Sequence, residues 1–337
     1  MNNSTILAIE TSCDETAMSI IKENKIIGNV ISSQIKDHHL NGGVIPELAS
    51  RLHLENIDIV FNELLIQSQI TTNDIDYIAV VNGPGLIGAL HVGIVFAKSL
   101  SFINNIPILP VHHIAGHIYA NQLIEDFRFP LLALVVSGGH TQLVLMNHHL
   151  HFEILGQTLD DAVGECYDKV ARVLEIGYPG GPIIDKLARE GNNIYDFPIS
   201  LIDDTYNFSY SGLKSAVINK VNTLNMKKEH YNIEDIACSF QYSAIEPLVI
   251  KSIRAIKNFN IKQLVLAGGV AANSYLRESI DKMTREKVDF EVDLIKLPIK
   301  YTSDNAAMIA SLASFYNKND FTFDYSFKAY PNKPLSQ

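Results

Sequence analysis

The chain has little of what would place it outside the ordinary globular class. Its three cysteines, Cys13, Cys166 and Cys238, are scattered and odd in number, and no CxxC pair occurs. That argues against a disulfide framework and points to a reducing compartment. No run of about 18 consecutive apolar residues occurs, so no spanning helix is expected. The short polar stretch from Met1 to Thr5 lacks the basic and apolar regions of a signal peptide. Glycine and proline number 19 and 12 and are spread out, against disorder and collagen-like repeats. Positive charge is not in excess either: the net charge is −10. That balance fits a cytoplasmic protein with no overall drive toward nucleic acid or an anionic membrane. A nucleic-acid partner then needs a local basic patch or a second protein.

What remains is a chain of 337 residues, 47% hydrophobic, long enough for two domains with a core each. Residues 6–10 and 17–21 read as two strands joined by a turn of hydroxyls and carboxylates, Thr11-Ser12-Cys13-Asp14-Glu15-Thr16. Residues 26–32 read as a third strand, and Pro46 opens a helix. Residues 77–81 read as a strand. After Asn82-Gly83-Pro84-Gly85, Leu86, Leu90, Ile94, Ala97 and Leu100 recur at helical spacing. A second unit begins near Pro130 and repeats the opening plan, with strands at 131–136 and 141–146 around the turn Ser137-Gly138-Gly139-His140. Residues 160–175, 233–259 and those from Asn273 onward read as helices, and 264–267 as a strand. Segment 195–212 reads as irregular and aromatic. The repeated plan points to a duplicated, hairpin-led α/β domain.

Six groups of residues can carry chemistry. His113 and His117 stand four apart, which on a helix puts both imidazoles on one face, about 5–6 Å apart at Cβ. Such a pair chelates a divalent ion, or serves as cap and core histidines. Asp304, at the head of the last helix, is a candidate third ligand or a plain N-cap. The metalloprotease motif would need Glu at 114, and Ile114 stands there. Second, Ser137-Gly138-Gly139-His140-Thr141 has the glycines and hydroxyls of a phosphate cradle. Third, the turn from Gly268 to Asn273 would let an adenosine lie on backbone, or simply packs strand on helix. Fourth, Asp161, Glu165 and Asp168 share a helical face if the helix starts at 160. Phe208-Ser209-Tyr210-Ser211-Gly212-Leu213-Lys214 suits a lid or a nucleic-acid contact. Arg277, Lys282, Arg285 and Lys287 make one modest basic patch.

Nine segments in order resemble one family: IETSCDET at 9–16, GGVIPELASR at 42–51, NGPGL at 82–86, HHIAGH at 112–117, VSGGHT at 136–141, YPGGP at 178–182, FSYSGLK at 208–214, GGVAAN at 268–273 and TSDN at 302–305. These look like the signatures of the tRNA adenosine threonylcarbamoyltransferases, and the resemblance runs from Ile6 to about Ala313. It implies the actin, Hsp70 and sugar-kinase superfold: two duplicated α/β lobes with a central cleft. The first lobe would span 1–125, completed by a C-terminal helix in 305–330, and the second 126–304. The resemblance implies a divalent metal, Fe(2+) ahead of Zn(2+), on His113, His117 and Asp304. It implies that Val135, Val136, Ser137, Gly138 and Gly139 contact threonylcarbamoyl-AMP, that Asp168, Gly181 and Asp185 hold its ribose, and that Asn273 sits by the adenine. No catalytic base is implied. The expected partners are tRNA, a related inactive subunit and a small ATPase, with no membrane. A sugar kinase or ATPase of the same superfold is the alternative. A non-catalytic scaffold is a further one, against which the retained His113, His117 and Asp304 stand.

Overall fold

Strand β1 (Thr5–Glu10) is buried at every position, because its Ile-Leu-Ala-Ile run offers apolar side chains to both faces of a sheet. The computed structural model describes residues 4–39, 42–200 and 203–335. Strand β2 (Glu15–Lys22) runs back antiparallel to β1, and β3 (Lys25–Ser33) runs antiparallel to β2. The turn between them places Glu23 and Asn24 at positive φ, the backbone twist a two-residue hairpin needs. Helix α1 (Ile35–His39) and the long α2 (Pro46–Ser68) follow, the latter with proline in its first turn. Strands β4 (Tyr77–Gly83) and β5 (Ile108–His112) lie parallel on the other side of β1, giving the order β3-β2-β1-β4-β5. Helix α3 (Ile87–Asn104) connects them, and α4 (His113–Tyr119) starts on the residue after β5. Among the described residues α3 alone is long and apolar enough to cross a bilayer, by length and composition; it packs on α2 and β4.

The same plan recurs. Strands β6 (Leu131–Val136), β7 (Thr141–Met146) and β8 (Glu153–Gln157) form an antiparallel meander. Helices α5 (Val163–Val173), α6 (Gly180–Ala188), α7 (Ser211–Lys227) and α8 (Ile233–Asn258) come next. Then β9 (Gln263–Ala267) pairs parallel with β6, α9 (Ser274–Lys287) follows, and β10 (Asp293–Ile295) pairs parallel with β9. The order β10-β9-β6-β7-β8 is the first sheet's order read from the other edge. The chain divides into two compact units, Met1–Asp126 with Leu297–Gln337, and Phe127–Lys296. Helix α10 (Ala306–Ala313) returns to the first unit and packs on β1, β2 and α4. Beyond it the chain continues with little regular structure.

Two expectations are corrected. The helix expected over 160–175 begins at Val163. Asp160 and Asp161 therefore precede it and do not share a face with Asp168. Asp160 instead accepts from the Ser209 and Ser211 hydroxyls and the Tyr210 backbone, and Asp161 pairs with Lys169 and Lys214. The stretch 208–214 is not a lid: Phe208, Tyr210 and Leu213 are buried in the second unit's core, and Tyr210 donates its hydroxyl to the Ala244 carbonyl. Leu201 and Ile202 lie outside the described residues.

Candidate functional site

In the first unit, β5 and α4 meet without a loop, so His112, His113 and His117 sit together at the carboxyl end of β5. His112 caps α4, its Nδ1 accepting from the Ile114 backbone. His113 and His117 stack one turn apart on that helix, ring centroids 4.7 Å apart and nearly perpendicular. Asn305, rather than Asp304, caps α10, accepting from the Met308 backbone. Asp304 lies with its Oδ1 3.0 Å from His117 Nε2 and 3.6 Å from His113 Nε2. The three donor groups lie within 4.8 Å of one another.

A carboxylate that sequence reading passed over completes the group. Glu10, at the end of β1 and wholly buried, accepts from His113 Nδ1 at 2.8 Å and from the Ser12 backbone at 2.6 Å. Ser12 Oγ lies 3.0 Å from the same Nδ1. Since a carboxylate only accepts, Nδ1 carries the proton, and Nε2 is presented toward Asp304. A carboxylate closing the apolar run of residues 6–9 was the available signal.

Acidic groups crowd this end of the first unit's sheet. Burial, then Asp304 and Asp14, push the Glu15 carboxyl well above its usual range. Burial, then Asp14 and Asp304, do the same to the Cys13 thiol. At His113 burial alone would lower the pKa, but Glu10 and Asp304 outweigh it and raise it to about 9. His117 turns its Nε2 to Asp304, while its Nδ1 is buried with no hydrogen-bond partner. Two imidazoles and a carboxylate, backed by buried acids, fit a divalent transition ion with open positions.

In the second unit the turn after β6 is built differently. Ser137 Oγ accepts from the His140 backbone, and the Ser137 backbone donates to the His140 carbonyl. Added Cβ atoms at Gly138 and Gly139 would meet nothing within 4 Å, so this turn is open to a ligand. Behind it packing is tight: a Cβ at Gly164 would lie 2.5 Å from the Ser137 carbonyl oxygen, and one at Gly268, whose φ is +91°, 2.5 Å from that of Val136. The side chains of Val135 and Val136 are wholly buried, which leaves backbone to make any contact there.

Asp168, Asp185 and Asn273 are each hydrogen-bonded to a neighbouring helix. Asp168 on α5 accepts from the Gly180 backbone at 2.8 Å, and Gly181 faces open space. Asp185 on α6 accepts from the Ser274 hydroxyl and backbone. Asn273 caps α9 and donates to Gln241, which also accepts from Tyr167. Gln241 and Tyr167 carried no motif; they fall inside the helices expected over 233–259 and 160–175. Of the basic patch, Arg285 pairs with Asp281, and Arg277 donates to the Ala271 carbonyl.

Comparison with known proteins places this geometry. The family model described as tRNA N6-adenosine threonylcarbamoyltransferase (TsaD) matches residues 25–311. The enzyme of that name from Listeria welshimeri is 54% identical over 312 residues, covering 92% of this chain and 90% of that one. Its namesake from Bacillus subtilis is 50% identical over 333 residues, covering 98% and 96%. Among solved structures, T. kodakarensis HypF aligns at TM-score 0.62 and 14% identity, over 95% of this chain and 49% of that one. Component A of the Acidaminococcus fermentans (R)-2-hydroxyglutaryl-CoA dehydratase aligns at 0.55 and 14%, over 92% and 97%. These structural likenesses speak for the fold alone.

Proposed function

Because the chain belongs to the tRNA N6-adenosine threonylcarbamoyltransferase family, we propose that it moves the threonylcarbamoyl group of threonylcarbamoyl-AMP onto N6 of the adenine at position 37, beside the anticodon, in tRNAs reading codons that begin with A. The observation that carries the reading is the family match over residues 25–311. His113, His117 and Asp304 support it as holders of a metal ion, Fe(2+) ahead of Zn(2+). A bound ion would supply Lewis-acid charge beside the donor's anionic groups.

The chain's own residues then do the rest. The adenine amine is a poor nucleophile, because its lone pair is delocalised into the ring. Rate must come mainly from orientation and from stabilising the developing oxyanion. The open turn of Ser137, Gly138 and Gly139, with the backbone of Val135 and Val136, is the cradle for the donor. Asp168, Gly181 and Asp185 are the ribose contacts, and Asn273 the adenine contact. No residue is assigned as a general base; the departing phosphate can take the proton.

The acidic chain favours shared tRNA binding. Leu54 and Ile66 on α2, with Phe102 and Ile103 on α3, are exposed apolar side chains of the kind that dock partners. They support a related inactive subunit on the first unit, with a small ATPase joining the complex in the cytoplasm. The test supplies labelled threonine, bicarbonate, ATP and tRNA, with and without candidate partners. Labelled tRNA is the expected product. Phosphoryl transfer to a sugar without tRNA would instead favour a kinase.

A further inference from the structure

We propose that residues 330–333, near the chain's C-terminal end, position the imidazole of His113 from two sides, through His112 and through the Ser12 turn. The inference rests on the reading of His113, His117 and Asp304 as metal ligands.

Beyond α10 the chain forms a strap over the first unit. Thr322 bridges Ile108 at the edge of the sheet. Lys98 of α3 donates to the Tyr325 and Phe327 carbonyls, both at 2.7 Å, and lies over the Phe327 ring. The strap then locks onto Asn82: the Tyr330 backbone donates to its carbonyl, its side chain donates to the Lys328 carbonyl, and Lys333 Nζ donates to its Oδ1 at 2.7 Å. Leu335 is buried past the end of this latch.

From the latch two routes reach His113. On the first, His112 Nε2 lies 3.1 Å from the Lys333 carbonyl oxygen. A carbonyl only accepts, so Nε2 carries the proton, and bare Nδ1 accepts from the Ile114 backbone at 3.1 Å. His112 thus ties the strap to the first turn of the metal-bearing helix. On the second route, the Gly85 backbone donates to the Pro331 carbonyl, and the Leu86 backbone donates to the Ser12 carbonyl at 2.7 Å. Ser12 Oγ is the group 3.0 Å from His113 Nδ1. Both glycines of this loop have φ of +154°. A Cβ at Gly83 would strike the Tyr330 carbonyl, and one at Gly85 the Ser12 carbonyl. The close approach of strap, loop and turn therefore requires glycine at both places.

Residues that orient a ligating imidazole typically change metal affinity by about 10–100-fold when lost. A strap that only stabilised the fold would lower the melting temperature and leave the ligand field alone. The test uses full-length protein loaded with Co(2+) and follows its visible spectrum during chelator competition. Two variants cut the first route: truncation after Tyr330, which also cuts the second, and His112→Asn. Asparagine keeps a capping acceptor for Ile114 but is too short to reach Lys333. Each should shift the cobalt spectrum and weaken retention about tenfold. Should truncation prevent folding, His112→Asn alone decides. Wild-type spectrum and retention in the variants, while the control His113→Ala loses the ion, overturns the strap's role. Retention of the ion by His113→Ala overturns the metal reading and the strap's role with it.

Discussion

Each unit runs its chain through a five-stranded sheet of the same strand order, yet the hairpin turns at equivalent places are opposites. Between β1 and β2 the turn is flanked by buried Glu10, Asp14 and Glu15 and backed by two imidazoles. Between β6 and β7 it is Ser-Gly-Gly, without charge and open to ligand. Burial, then Asp304 and Asp14, raise the Glu15 carboxyl well above its usual range, and the clustered acids favour a cation. The second offers backbone N–H groups, which suit an anion. A duplicated scaffold thus carries two complementary kinds of site, set by a few residues at each turn and not by the fold.

The largest expected effect is on the charged side. His113→Ala should take bound metal from one equivalent to none, read by metal analysis, and reduce transfer by more than about a hundredfold. Glu10→Gln keeps the shape but removes the charge that holds Nδ1–H. Its metal affinity should fall by about 10–100-fold in chelator competition. On the uncharged side the contrast is within one turn. Gly164→Ala forces a Cβ to 2.5 Å from the Ser137 carbonyl oxygen and should cost about 1–3 kcal/mol in denaturant unfolding. Gly138→Ala meets nothing within 4 Å; its stability should stay within about 0.5 kcal/mol while affinity for threonylcarbamoyl-AMP drops. The smallest effect concerns Asp160. Burial would raise its pKa, but hydrogen bonds from Ser209, Ser211 and Tyr210 outweigh this and lower it. A lowered folded value contributes stability that is fully present above the unfolded value of about 3.9 and is lost as pH falls through the folded one. Asp160→Asn should therefore flatten the acid limb of the stability curve and leave metal content unchanged.

Which parts of this were legible in the sequence follows from how each residue works. His113 and His117 were readable because their role depends on local helical spacing. Strand-turn-strand units were readable because buried strands carry unbroken apolar runs. Asp304 was only one candidate at a helix head, and choosing it over a plain N-cap needed the family resemblance, since its partners are far away in the chain. Glu10 was not legible, because its function depends on β1 ending beside α4, a contact 103 residues apart. Asp161 was misread as part of a helical face, because its i, i+4 spacing to Glu165 mimics one. In the structure the relation is a shared Lys169, not a shared helix turn. Phe208 and Tyr210 were misread because aromatic, serine and glycine composition describes an exposed loop as well as a segment tucked under α8.

The most direct measurement strips metal from the purified chain, adds it back in known amounts, and follows transfer from threonylcarbamoyl-AMP to tRNA with the partners present. Negligible transfer by the stripped protein, restored at one equivalent in the wild type but not in His113→Ala, is the predicted result. Full transfer by the metal-free protein would contradict the account.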